Sequence, residues 1–144
     1  MNIKYIITVI FGILIFFEVS SQNVKVVISG LRNTKGQIVM GIFKDDESFN
    51  EEKPFMNKVF PKTNIKDNVL ICSLTLKPGV YGISILDDEN CDGEMNYNLL
   101  GIPLEGYGFS NYCHKGLTKP HFDNFKFMVT NTETRKILIK VQYM

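Results

Sequence analysis

Val69–Leu76 (VLICSLTL), Lys77–Gly79 (KPG) and Val80–Asp87 (VYGISILD) decide the fold class. In the first run Leu70, Cys72, Leu74 and Leu76 alternate with Val69, Ile71, Ser73 and Thr75, the two-residue period of a strand with one buried face. In the third, Tyr81, Ile83 and Ile85 share a face. Between them proline fixes φ and glycine permits positive φ, so the three residues read as a turn. The reading is strand, turn, strand.

The same period recurs on both sides. Val24, Val26 and Ile28 line one strand, and Ile38, Met40 and Ile42 line another across Gln37–Phe43, with Gly30–Gly36 (GLRNTKG) as the turn between them. A short strand is expected around Lys58–Lys62. Before it runs a solvated acidic stretch, Asp45 to Glu52, with Phe49 and Phe55 as its anchors to the core. Two further strands, Phe122–Thr130 and Lys136–Tyr143, are expected to form a hairpin closed by Asn131–Thr134. No segment holds a 3.6-residue period over ten residues. The expected fold is therefore all-β: a single antiparallel β-sandwich of about seven strands.

The chain has 144 residues, enough for one domain. Sixteen basic against fifteen acidic residues argue against a protein that holds nucleic acid by charge. Tyr5–Phe17 is an uncharged run of 13 residues behind Lys4, shorter than the roughly 20 of a membrane-spanning helix. Val19 and Ser21 fit the −3 and −1 positions of a signal-peptidase site. Residues 1–21 thus read as a signal peptide and 22–144 as an exported domain, periplasmic or secreted, with no membrane span after cleavage. A retained anchor is the alternative. Export puts Cys72, Cys91 and Cys113 in an oxidising compartment. Cys72 reads as a buried strand residue; Cys91 and Cys113, both in loop-like sequence, are the pair available for a bridge.

One long segment, Asp87 to Pro120, shows no strand period. Its tyrosines, leucines and glycines suit an ordered loop packed on one end of the domain. Residues 87–114 hold six acids and no lysine or arginine. Outside them, residues 22–144 carry 15 basic against 8 acidic residues, a net +7. The near-neutral total conceals an acidic loop on a basic body.

Asp88-Glu89-Asn90-Cys91-Asp92-Gly93 has the D-x-[DN]-x-[DN]-G spacing of a calcium loop, in which alternate side chains aim oxygens at one point. Asp88, Asn90 and Asp92 would be side-chain ligands, the Glu94 carbonyl a fourth, and Asn96 a direct or water-bridged fifth. The twelfth position, a bidentate glutamate in a helix–loop–helix site, is Leu99. The competing reading is a turn whose Asp and Asn side chains bond their own backbone.

The stretch Leu76–Asn111 (LKPGVYGISILDDENCDGEMNYNLLGIPLEGYGFSN) resembles an exported bacterial family, domain of unknown function 2141. Its signature combines a leucine-proline-glycine turn, a tyrosine-bearing strand, a D-x-N-x-[ND]-G loop and a G-I-P-x-E-x-[YW]-G-F-S-N run. Pro78, Gly79, Tyr81, Asp88, Asn90, Asp92, Gly93, Gly101, Ile102, Pro103, Glu105, Gly108, Phe109, Ser110 and Asn111 match. The later Pro120, Phe122 and Phe125 are similar to the family's entry into a following strand. Two positions depart: Asn96, where the family commonly has aspartate, and Cys91, where a small or polar residue is usual. The resemblance implies an exported β-sandwich, broadly prealbumin- or immunoglobulin-like, and brings no activity with it.

Catalytic sets are thin. Ser110 or Cys113 with His114 are near neighbours along the chain, which seldom aim at one point. Glu105 and Asp92 are the only carboxylate pair worth weighing for glycoside chemistry, and there is no tryptophan. The expected role is a non-catalytic binding or structural module of the bacterial envelope that meets an envelope or extracellular protein or a glycan. Tyr97, Glu105, Tyr107, Phe109 and Tyr112 are the candidate partner surface, and Ca²⁺ is the candidate cofactor. The alternative is a small envelope hydrolase or accessory enzyme using the acidic loop.

Overall fold

The computed structural model describes residues 23–116 and 118–144; the signal-peptide reading of 1–21 lies outside them. The described chain is mostly β and forms two sheets. In order, the elements are β1 (Val24–Ser29), β2 (Gln37–Phe43), α1 (Asp46–Asn50), β3 (Met56–Pro61), a 3₁₀ turn (Lys62–Asn64), β4 (Val69–Leu74), β5 (Gly79–Asp88), β6 (Gly106–Phe109), α2 (Phe122–Phe125), β7 (Lys126–Val129) and β8 (Arg135–Lys140).

The smaller sheet runs β4-β1-β8, and the larger runs β3-β2-β5 with the far edge of β5 shared. The start of β5 pairs there with β7, Gly79 opposite Val129, and its end with β6, Asp87 opposite Gly106. Alternation does what the sequence pattern demands. Val26, Ile28, Leu70, Cys72 and Ile139 from the smaller sheet bury into one cluster with Ile38, Met40, Ile83 and Ile85 from the larger. A second cluster of Phe43, Phe49, Phe109, Phe122 and Phe125 packs elsewhere, with Phe49 and Phe125 edge to face at 4.8 Å. Gly82 makes room for it, since a Cβ there would lie 2.5 Å from the Phe125 ring.

Several expectations are corrected. Eight strands are present among the described residues, because the long loop contains β6. Two of its four residues are glycines, and each admits a neighbour: a Cβ on Gly106 would meet the Tyr143 ring at 2.5 Å, and one on Gly108 would meet Ile139 at 2.6 Å. Phe122–Phe125 is a single helical turn instead of a strand, started where Asn124 Oδ1 accepts the His121 N–H at 3.0 Å. β7 and β8 do not form a hairpin, because β7 pairs with β5 and β8 with β1. The β1–β8 pair is also parallel, so the sheets are not purely antiparallel. Phe49 is buried as expected, but Phe55 is 50% exposed and lies under the Lys44 ammonium, 3.7 Å from its ring centre.

All three cysteines are free, so Cys91 and Cys113 form no bridge; both are exposed. Burial pushes the Cys72 thiol up to about 11, away from the reactive thiolate. Alkylation of the native protein at neutral pH should therefore label Cys91 and Cys113 and spare Cys72, which reacts only after denaturation. Mass mapping that finds Cys72 labelled at the same rate would contradict the placement.

Candidate cation-binding loop

The acidic loop leaves the end of β5, where register places Asp88 opposite Gln37. Asp88 is fully buried. Its Oδ2 accepts Gln37 Nε2 at 2.7 Å and the Gly93 N–H at 3.0 Å, and its Oδ1 accepts the Asp92 N–H at 3.2 Å. One carboxylate thus closes the turn from strand to loop. The tight path needs positive φ at Cys91 (61°) and Gly93 (80°).

Inside the turn Asn90 Oδ1 accepts the Asp92 N–H at 3.1 Å. Asp92 Oδ1 accepts the Glu94 N–H at 2.9 Å, and its Oδ2 accepts the amides of Asn90 (2.9 Å) and Asn96 (3.0 Å). These bonds, the Glu94 N–H foremost, hold the Asp92 carboxyl below its ordinary range. Ligation by Asn90 would require its amide to turn, because Nδ2 now faces Asp92 and Asn96. The Glu94 side chain is exposed, and Leu99 points wholly into solvent.

Glu105 takes the place that Leu99 leaves vacant. It is 6% exposed, with Oε1 accepting the Glu89 N–H at 3.0 Å and Oε2 the Asn96 N–H at 3.3 Å. One oxygen each from Asp88, Asp92 and Glu105 lie within 4.8 Å of one another. The neighbouring cations are engaged elsewhere: Arg32 grips Glu89 through two bonds (2.6 and 3.1 Å), and Lys62 pairs with Asp87. The Arg32 contact is also the main cause of a lowered Glu89 carboxyl. Three hard carboxylate donors suit Ca²⁺ in chemistry, and carbonyls or water would have to supply the rest of a shell of about six to eight oxygens.

The expected partner surface is divided. Tyr97 is 59% exposed, Tyr107 and Tyr112 are half-buried against the aromatic cluster, and Phe109 and Glu105 are buried. Within this loop the large apolar side chains that stand exposed are Tyr97, Leu99, Leu100 and Leu104. They sit on a stiff turn: Asn98 Oδ1 accepts the Leu100 and Ile102 N–H groups at 2.9 and 3.0 Å, and the Asn98 N–H donates to Ile102 O. The hydroxyl of Ser110 is buried, donating to Phe125 O (2.6 Å) and accepting the Ile83 N–H (2.9 Å). His114 Nε2 is taken by Thr118 O. That dyad is not assembled.

Sequence reasoning placed Glu105 on the partner surface and in a carboxylate pair with Asp92 but left it out of the cation ligands, and it missed Lys62, Asn33 and Tyr143 around Asp87 altogether. Glu105 carries a local signal only through the glycine-rich strand after it, which returns the chain to β5. A lysine in a polar turn carries none, since lysine is ordinarily exposed. Among the described residues no helix is long and apolar enough to cross a membrane.

No curated protein and no solved structure matches the chain. A family model described as an uncharacterized protein conserved in bacteria, DUF2141, matches residues 26–137, from β1 through the whole acidic loop into β8. The chain belongs to that family.

Proposed function

We propose that the protein is an exported, non-catalytic β-sandwich of the prealbumin or immunoglobulin type that binds another envelope or extracellular component. Its acidic loop is stabilised by Ca²⁺, and the leucine-tipped turn beside it makes the contact, with a protein or glycan as partner. The observation that carries this is the convergence of Asp88, Asp92 and Glu105 oxygens within 4.8 Å. Like charges so close repel one another, and a divalent cation relieves them. The shared core of the two sheets supports the sandwich, and the uncharged run behind Lys4 supports export. The structural duties of Ser110 and His114 support a non-catalytic role.

The test is a thermal melt with millimolar Ca²⁺ and with excess chelator. Free ion at a hundredfold its Kd adds about 2.7 kcal/mol, on the order of 10 °C for a domain this size. Glu105→Gln should remove the rise as fully as Asp92→Asn does, which a site confined to residues 88–96 would not require. An unchanged midpoint at millimolar Ca²⁺ removes the ion from the proposal. The acidic loop would then stand as a self-capped turn.

A further inference from the structure

Alternation along β5 puts Asp87 on the face of Tyr81, Ile83 and Ile85, at the end of the core. There its Oδ1 lies 2.5 Å from Lys62 Nζ, and neither side chain is exposed to solvent. The amine arrives from the 3₁₀ turn after β3, an edge strand, and reaches past β2 to the central strand. Tyr143 donates its hydroxyl to the other oxygen, Oδ2, and accepts the Arg32 N–H at 3.1 Å. Lys62 Nζ has one further partner, Asn33 Oδ1 at 3.2 Å.

We propose that Lys62 and Asp87 are joined by an amide between Nζ and Cγ, formed by the chain itself. One ammonium proton passes to Oδ1, and the freed nitrogen lone pair attacks Cγ. A second proton follows to the same oxygen, the Cγ–Oδ1 bond breaks, and one water leaves. No oxidant, reductant or co-reactant is needed, because the ion pair already holds every atom and proton of the products. Tyr143 holds the oxygen that stays and supports the charge that develops on it. Two groups locked at contact distance react as at a very high effective concentration, and burial penalises the separated charges that the amide eliminates.

The hydrogen bonds around the pair suit the product as well as the ion pair. The amide carbonyl, Oδ2, keeps the Tyr143 hydroxyl, and the one remaining N–H keeps Asn33 Oδ1. Neither polar atom of the new amide is left without a partner. The link would tie the β3 edge to β5 across β2, a covalent staple in a domain whose three cysteines are unbonded.

The test is the intact mass of the purified protein under denaturing conditions, followed by tryptic mapping. The expected mass is one water below that of the chain between its measured termini. Cleavage after Lys62 should be lost, and a branched peptide should carry both Lys62 and Asp87. Lys62→Arg should show the full mass, and Tyr143→Phe should slow the conversion severalfold. A wild-type chain at full mass, or a water loss that maps to a succinimide at Asp92-Gly93, would overturn the proposal, and neither result depends on how well a variant folds.

Discussion

Replacing Gly36 with alanine should cost about 2–5 kcal/mol, toward the upper end of that range. Gly36 sits at φ 74°, and a Cβ there would lie 2.0 Å from the Asp88 carbonyl oxygen and 2.6 Å from Glu89 Cα. The left-handed backbone alone costs roughly 1–2 kcal/mol for a residue with a Cβ, and forcing an atom into filled space adds about 1–3 kcal/mol. Here the obstacle is backbone, so no side-chain rotation relieves it. Gly93 provides the control: its φ is 80°, yet a Cβ would meet nothing within 4 Å. Gly93→Ala should lose only the conformational part, about 1–2 kcal/mol. Denaturant midpoints decide between them. Equal losses would mean that the close approach of Gly36 to the loop's root has no energetic weight.

The second large effect is expected for Lys62→Ala, about 3–5 kcal/mol. Removing the amine leaves the Asp87 carboxylate at zero exposure with only the Tyr143 hydroxyl for company. An uncompensated buried charge costs far more than the net value of the pair it came from. Replacing both members by apolar residues, Lys62→Met with Asp87→Leu, should therefore recover much of the loss. The coupling energy from the full cycle measures how strongly the two residues act together, the proposed amide included. A loss below about 1 kcal/mol in Lys62→Ala would place the pair with ordinary surface ion pairs and contradict its burial.

What could be read from sequence follows from where the information is stored. β1, β2, β4, β5 and β8 each bury one face, so alternation marks them within six or seven residues. β6 has only four residues, two of them glycine, and its strand character comes from the partner it joins. The helical turn at Phe122–Phe125 is too short to show a period, and the parallel pairing of β8 with β1 joins segments far apart in the chain. The site divides along the same line. Asp88, Asn90 and Asp92 announce themselves by local spacing, whereas Glu105 reaches them only because Gly106 pairs with Asp87. Lys62 is hidden for a chemical reason: burying an amine makes sense only once its carboxylate partner is known.

The parallel pairing of β1 with β8 sets an order of events for the nascent chain. Among the described residues Val24–Ser29 is the first strand to be made, and one of its two partners, Arg135–Lys140, is the last. Until the final residues are available, β1 can pair only with β4, and its other edge stays open. Folding to completion is therefore a late, whole-chain event governed by slow long-range closure. A chain shortened by its last ten residues would present an unpaired apolar strand to any neighbour able to add one.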